Sequence, residues 1–101
     1  MMWQSQNFTV PASHPSAAEH FPGNPIIPGA LLLDTMVAAV AGAQAGVVIE
    51  AAKFLQPVRH GEPLQLRWQT LNEDRFRFEC RVVRDDSLVL TGTLSVRRCA
   101  E

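Results

Sequence analysis

Polar and apolar residues alternate with a period of two through much of the C-terminal half of the chain. Leu64, Leu66, Trp68 and Thr70 alternate with Gln65, Arg67 and Gln69, and Phe76, Phe78, Cys80 and Val82 alternate with Arg77, Glu79 and Arg81. This period predicts strands with one buried face. A last strand carries Leu88, Leu90, Leu94 and Val96 on one side and Thr91, Thr93 and Ser95 on the other, with Gly92 marking a bulge or a close approach. Asn72-Glu73-Asp74 and Asp85-Asp86-Ser87 supply the turns between these strands. Earlier in the chain, Asn7 to Val10 reads as a short strand ended by Pro11, followed by a polar loop from Ser13 to Glu19. Val47 to Phe54 is a β-prone run that stops before Pro57 and the turn-like Arg59-His60-Gly61-Glu62-Pro63.

Between these strands the pattern changes. Ala30 to Ile49 is nearly uncharged, and the spacing predicts a helix from about Gly29 to Ala45, introduced by Pro28 and closed by Gly46 as a C-cap. Leu31, Leu32, Leu33, Met36, Val37 and Val40 leave it almost no polar face, so it must be wrapped on several sides. A run this apolar invites a membrane reading, but its alanines, its glycines and Asp34 favour a helix buried inside its own domain. No membrane segment is expected. One short strand, one long apolar helix and four strands joined mostly by tight turns make an α+β domain over residues 1–101, with an antiparallel sheet curled round the helix. Its open sheet edges invite pairing with a second subunit.

Composition narrows the class without changing this picture. A chain of 101 residues with 47% apolar and 19% charged residues is a single globular domain rather than a disordered segment. A net charge of -1 gives no reason to expect nucleic acid, although all nine basic residues lie beyond position 50 and leave the C-terminal half mildly basic. Cys80 and Cys99 have neither zinc nor redox spacing and read as structural thiols, with no metal site assigned. Met1 to Gln6 lacks the basic start and apolar run of an export signal, so the cytoplasm is the expected compartment.

The candidate chemistry lies at the two ends of one loop. Pro22 to Gly29 holds three prolines and two glycines in eight residues, which defines the backbone between His20 and the helix that carries Asp34. A histidine titrates near neutral pH and suits a general base. A carboxylate in the first turns of an apolar helix must be paired, face a cavity or have a raised pKa, and Asp34 suits a general acid. The first N–H groups of the helix, at Gly29 and Ala30, have no helical acceptors and can bind a carbonyl oxygen. Proton removal beside a polarised carbonyl is a reaction that this set supports. His14 and His60 read as surface residues, and Trp68, Phe76 and Phe78 as core or interface.

His20-Phe21-Pro22-Gly23-Asn24-Pro25, then Ile26-Ile27-Pro28-Gly29, then a leucine-rich run reaching Asp34 resembles the active-site signature of hotdog-fold 3-hydroxyacyl-acyl carrier protein dehydratases. The resemblance includes the spacing of fourteen positions from His20 to Asp34, and a weaker echo continues in Ala52-Lys53-Phe54-Leu55-Gln56-Pro57-Val58. It implies a hotdog fold, a homodimer or a heterodimer with another hotdog subunit, and sites at the interface where the histidine of one subunit works with the acid of the other. By this likeness His20 removes the C2 proton, Asp34 helps the C3 hydroxyl leave as water, and Gly29 N–H holds the thioester oxygen. Phe21, Pro28, Ala30 and Leu33 complete the implied substrate contacts. The substrate arrives as a thioester on the phosphopantetheine arm of acyl carrier protein, with no separate cofactor. Lys53, Arg59, Arg75, Arg77, Arg97 and Arg98 are candidates for docking that acidic carrier. The short chain and Asp34 are most similar to the small dehydratase-like proteins of aryl polyene and related lipid or polyketide pathways. The common dehydratases of the family usually show glutamine four residues after the acid, where this chain has Ala38. Two other functions stay open at this point: a hotdog thioesterase, and a catalytically weak partner that dimerises with an active homologue or binds carrier without turnover.

Overall fold

The computed structural model of the protein describes residues 3–11, 26–42 and 46–97. Strand β1 spans Gln4–Phe8 and helix α1 spans Gly29–Ala41. Strands β2 to β5 span Gly46–Phe54, Leu64–Thr70, Arg75–Val82 and Leu88–Arg97. They form one antiparallel sheet in the order β1-β3-β4-β5-β2. The strand that follows the helix therefore crosses to the far edge, beside β5, and β1 forms the opposite edge.

The period-two pattern becomes the core. In the ladder, Leu66 faces Cys80 and Cys80 faces Leu90, while Phe78 faces Trp68 on one side and Gly92 on the other. Leu64, Leu66, Phe78, Cys80, Leu90 and Leu94 are fully buried and form one cluster with Leu32 and Met36 of α1. The polar alternates take the other face of the sheet. There Glu79 accepts from Arg67 at 3.2 Å and from Arg81 at 2.7 Å, and the Arg67 guanidinium lies 5.1 Å from the Trp3 ring centroid.

Helix α1 is buried on one side only, where the sequence pattern predicted wrapping on several. Leu32 and Met36 are buried, while Ala30, Asp34 and Ala38 are exposed. At 3.6 residues per turn, Asp34 points roughly 200° away from both Leu32 and Met36, so a helix docked through those two carries Asp34 outward. Truncating either buried side chain to alanine removes about 2–5 kcal/mol of stability. The helix also ends earlier than expected, because Gly42 takes φ 72° and returns its N–H to Ala38 C=O at 3.1 Å. The sequence pattern assigns that C-cap role to Gly46, which instead begins β2.

Two further boundaries differ from expectation. β1 covers Gln4–Phe8 rather than Asn7 to Val10, because backbone pairing with β3 from Gln4↔Trp68 to Phe8↔Leu64 does not require apolar side chains. Register shifts fall between Ile49 and Ala51 and between Cys80 and Arg81, not at Gly92. Gly92 is the close approach: a Cβ there would meet Ala51 C=O and lie 2.6 Å from Phe78 Cζ. The turns follow their sequence signals, with Asn72 Oδ1 accepting from Asp74 and Arg75 N–H groups and Asp85 Oδ1 accepting from the N–H and hydroxyl of Ser87.

Two measurements check this packing. Gly92→Ala should cost about 3 kcal/mol in urea unfolding, since neither a strand backbone nor a fully buried ring can move aside cheaply. Burial pushes the Cys80 thiol up to about 12. Stability gained by keeping it protonated is intact below the ordinary value of about 8.5 and is lost as pH rises towards the folded value. In a Cys99→Ser background Cys80 should therefore resist alkylation at pH 8 and react once urea unfolds the chain.

Candidate functional site

Two segments build the candidate site by meeting at the start of α1. Ile27 donates its N–H to Val58 C=O at 2.8 Å, and Ile26 forms an isolated antiparallel bridge with Arg59. These bonds hold the chain entering the helix against the chain leaving β2. Pro28 then takes φ -60°, ψ 138° at the N-cap, one position before the first helical turn expected for it. Its carbonyl accepts from Leu31 N–H at 3.0 Å and from Leu32 N–H at 3.3 Å, so Gly29 and Ala30 are the N–H groups ahead of the first intrahelical bonds.

A groove of about 480 Å³ opens at this junction. Ile26, Ile27, Gly29 and Leu32 form one wall and Phe54 to Val58 the other. Gln56 is the one polar side chain among these, and it points an amide N–H at Leu88 C=O, 3.0 Å away. Gly29 lies against the Phe54 ring so closely that a Cβ would sit 2.9 Å from Cε1, while Phe54 as a residue is 48% exposed. The arrangement places helix-start N–H groups beside an apolar channel, where a carbonyl oxygen gains most from a fixed donor.

The residues singled out in the sequence separate into four groups. Pro28 and Gly29 lie at the helix start, and Gly29 lines the groove. Leu33 packs half-buried against the core. Ala30 and Asp34 lie one turn apart on the exposed side of α1, away from the buried side chains. Asp34 stands in the second turn, with no acidic residue in the first, so it is not the helix-start anion that would merely complement the dipole. His20 and Phe21 lie outside the described residues, as do Cys99 and Arg98. Phe54, Leu55, Pro57 and Val58 were not singled out as site residues, although the Ala52 to Val58 likeness pointed to this segment.

Of the carrier-docking candidates, Arg75 pairs with Glu50 at 3.0 Å. Lys53, Arg59, Arg77 and Arg97 are exposed and have no ion-pair partner among the described residues. Also among the described residues, no cluster of three or more metal-ligating side chains occurs, and no helix is long and apolar enough to cross a membrane.

Comparison with known proteins places this geometry. The family described as ApeI-like, ApeI dehydratase, matches residues 4–93. A 3-hydroxyacyl-[acyl-carrier-protein] dehydratase FabZ from Syntrophotalea carbinolica is 33% identical over 104 residues, covering 88% of this chain and 69% of its own length. The corresponding FabZ of Chlamydia trachomatis is 38% identical over 76 residues, which cover 61% of this chain and 48% of that protein. The chain thus spans from about half to about two thirds of the length of these relatives. Among solved structures, the dehydratase heterocomplex ApeI:P from Xenorhabdus doucetiae matches with a TM-score of 0.78 at 19% identity, over 95% of this chain and 88% of that one. The dehydratase domain of PpsC from Mycobacterium tuberculosis matches with a TM-score of 0.79 at 15% identity, over 98% of this chain and 40% of that one. These likenesses show the hotdog fold that the family resemblance implied.

The Gly29 contact has a direct check. Gly29→Ala should change the unfolding free energy by no more than about 1 kcal/mol, because the gain in helix propensity offsets displacement of a half-exposed ring. Phe54 should still move, and its aromatic NMR resonances should shift relative to the other phenylalanines.

Proposed function

The chain belongs to the ApeI-like dehydratase family, and on that premise we propose that it dehydrates 3-hydroxyacyl thioesters carried on acyl carrier protein to 2-enoyl thioesters. The observation that carries this reading is Gly29, whose backbone opens a helix on one side and lines an apolar groove on the other. A thioester seated there accepts a hydrogen bond from Gly29 N–H, which acidifies the C2 proton by stabilising charge on the carbonyl oxygen. His20 takes that proton, the C2–H electrons form the C2=C3 double bond, and the C3–O bond breaks as Asp34 gives a proton to the departing hydroxyl. Water leaves, and proton return from His20 to Asp34 resets the pair. The chemistry uses the chain's own side chains and the substrate's phosphopantetheine arm, and the proposed setting is the cytoplasm.

Asp34 cannot serve the groove of its own chain from the outward face of α1. We therefore assign it to a site shared with a second hotdog subunit, either another copy or a homologue. The sheet edge favours such a partner. Strand β2 is paired on one side by β5, and its Val48 and Phe54 are exposed at 38% and 48%.

Purified protein given a 3-hydroxyacyl carrier thioester should yield the 2-enoyl product, and release of free thiol instead would identify a thioesterase. His20→Ala and Asp34→Asn should each lower kcat by roughly 10²–10⁴-fold. Because Asp34 is exposed, Asp34→Asn should leave stability within about 0.5 kcal/mol. Full activity in both variants would remove the acid–base assignment.

A further inference from the structure

A second pocket adjoins the groove and has different chemistry. It holds about 200 Å³ and shares Gln56, Pro57 and Val58 with the groove, but its other walls include Arg59, Glu62, Arg84 and Ser87. The two spaces are thus consecutive along one strip of chain, apolar at the Gly29 end and charged at the other. Backbone bonds fix the order. The Ile26–Arg59 bridge ties the groove wall to Arg59, and Val83 N–H donates to Pro63 C=O at 3.1 Å, joining the turn that bears Arg84 to the loop that bears Glu62.

The charges in this pocket do not cancel. Arg84 Nη2 stands 3.5 Å from Glu62 Oε1 with 72% of the Arg84 side chain exposed, and Arg59 has no ion-pair partner among the described residues. Two guanidinium groups therefore face the Glu62 carboxylate on the pocket wall, and the nearby Asp85, which also acts on Arg84, is engaged through Oδ1 by Ser87. A long, exposed ion pair holds its arginine weakly, whereas a phosphate offers several strong acceptors to the same planar donors.

We infer that this pocket receives the phosphate ester at the end of the arm that carries the thioester. The inference rests on the dehydratase reading for one point, the seating of the thioester at Gly29. Length agrees with it. Phe54, whose ring touches Gly29, lies five residues before Arg59, a separation of at most about 17 Å at roughly 3.4 Å per residue. A pantetheine arm has about thirteen bonds from sulfur to phosphorus, or about 15 Å at the same extended pitch of three bonds per residue. With the thioester oxygen on Gly29 N–H, the arm runs past Phe54 and Pro57 and brings its phosphate to Arg59 and Arg84, with Glu62 displaced from Arg84.

The test compares one 3-hydroxyacyl group as a thioester of pantetheine, of 4′-phosphopantetheine and of coenzyme A, using the full chain in its native assembly. The phosphorylated arms should show a KM lower by roughly three- to tenfold than pantetheine, at similar kcat. Equal preference for 4′-phosphopantetheine and coenzyme A identifies the shared phosphate, and a gain confined to coenzyme A assigns the effect to its nucleotide and overturns the inference. In the Arg59→Ala/Arg84→Ala double variant the KM ratio should fall towards one, and in Glu62→Gln it should rise. Calorimetric titration with 4′-phosphopantetheine and with pantetheine reads the same preference without turnover. A phosphate preference in that titration with no dehydration of any thioester would sink the dehydratase reading and leave the pocket standing. Equal binding of the two arms by the wild type, or a ratio unchanged in the double variant, overturns the phosphate site.

Discussion

The first turn of α1 is held at two points by one segment, Phe54 to Val58. Ile27 N–H reaches Val58 C=O at 2.8 Å, and the Phe54 ring rests on Gly29. Only glycine allows that approach, since a Cβ would crowd Cε1 of the ring at 2.9 Å. The groove is the space left between the helix start and this segment, and Gly29, whose N–H precedes the first intrahelical bonds, lines it. Burial of two side chains sets the rotation of the helix. Leu32 and Met36 turn towards the sheet, and Asp34 turns away from it.

One-sided burial has a functional consequence. A helix this apolar keeps Ala30, Asp34 and Ala38 exposed, and β2 keeps a free edge beside exposed Val48 and Phe54. A second hotdog subunit meets both needs on the proposed reading, since it covers apolar surface and brings a different groove to Asp34. The small side chains at Ala30 and Ala38 leave the carboxylate accessible between them. On that reading structure and chemistry are linked through assembly, with the acid of one chain serving its neighbour.

Much of this was legible in the sequence where side chains carry the signal. Alternation at Leu64 to Thr70, Phe76 to Val82 and Leu88 to Val96 located three strands and their buried faces, because burial selects side chains with period two. β1 was misplaced because Gln4, Ser5 and Gln6 pair through their backbones and show no apolar rhythm. The helix end was misplaced because Gly42 and Gly46 are equivalent as residue types, and only the φ of 72° shows which one stops the helix. Of the candidate site residues, the Pro28-Gly29 helix start points to Gly29, and the cost of a carboxylate in an apolar run points to Asp34. The other groove wall, Phe54 to Val58, depends on β2 crossing to the far sheet edge. No local pattern encodes that crossing. The outward direction of Asp34 likewise follows from which helix face docks, and a helix that is apolar nearly all round does not announce it.

The sharing of one site between two subunits is tested most directly by mixing variants. His20→Ala and Asp34→Asn chains, each nearly inactive alone, are co-expressed with different tags and the mixed dimer is isolated. If His20 of one subunit works with Asp34 of the other, the mixed dimer has one site with both groups intact, and it should recover about half of the wild-type dehydration rate per dimer. If the pair acts within one chain, every site in the mixed dimer lacks one group. A rate no higher than that of either parent would then contradict the shared site.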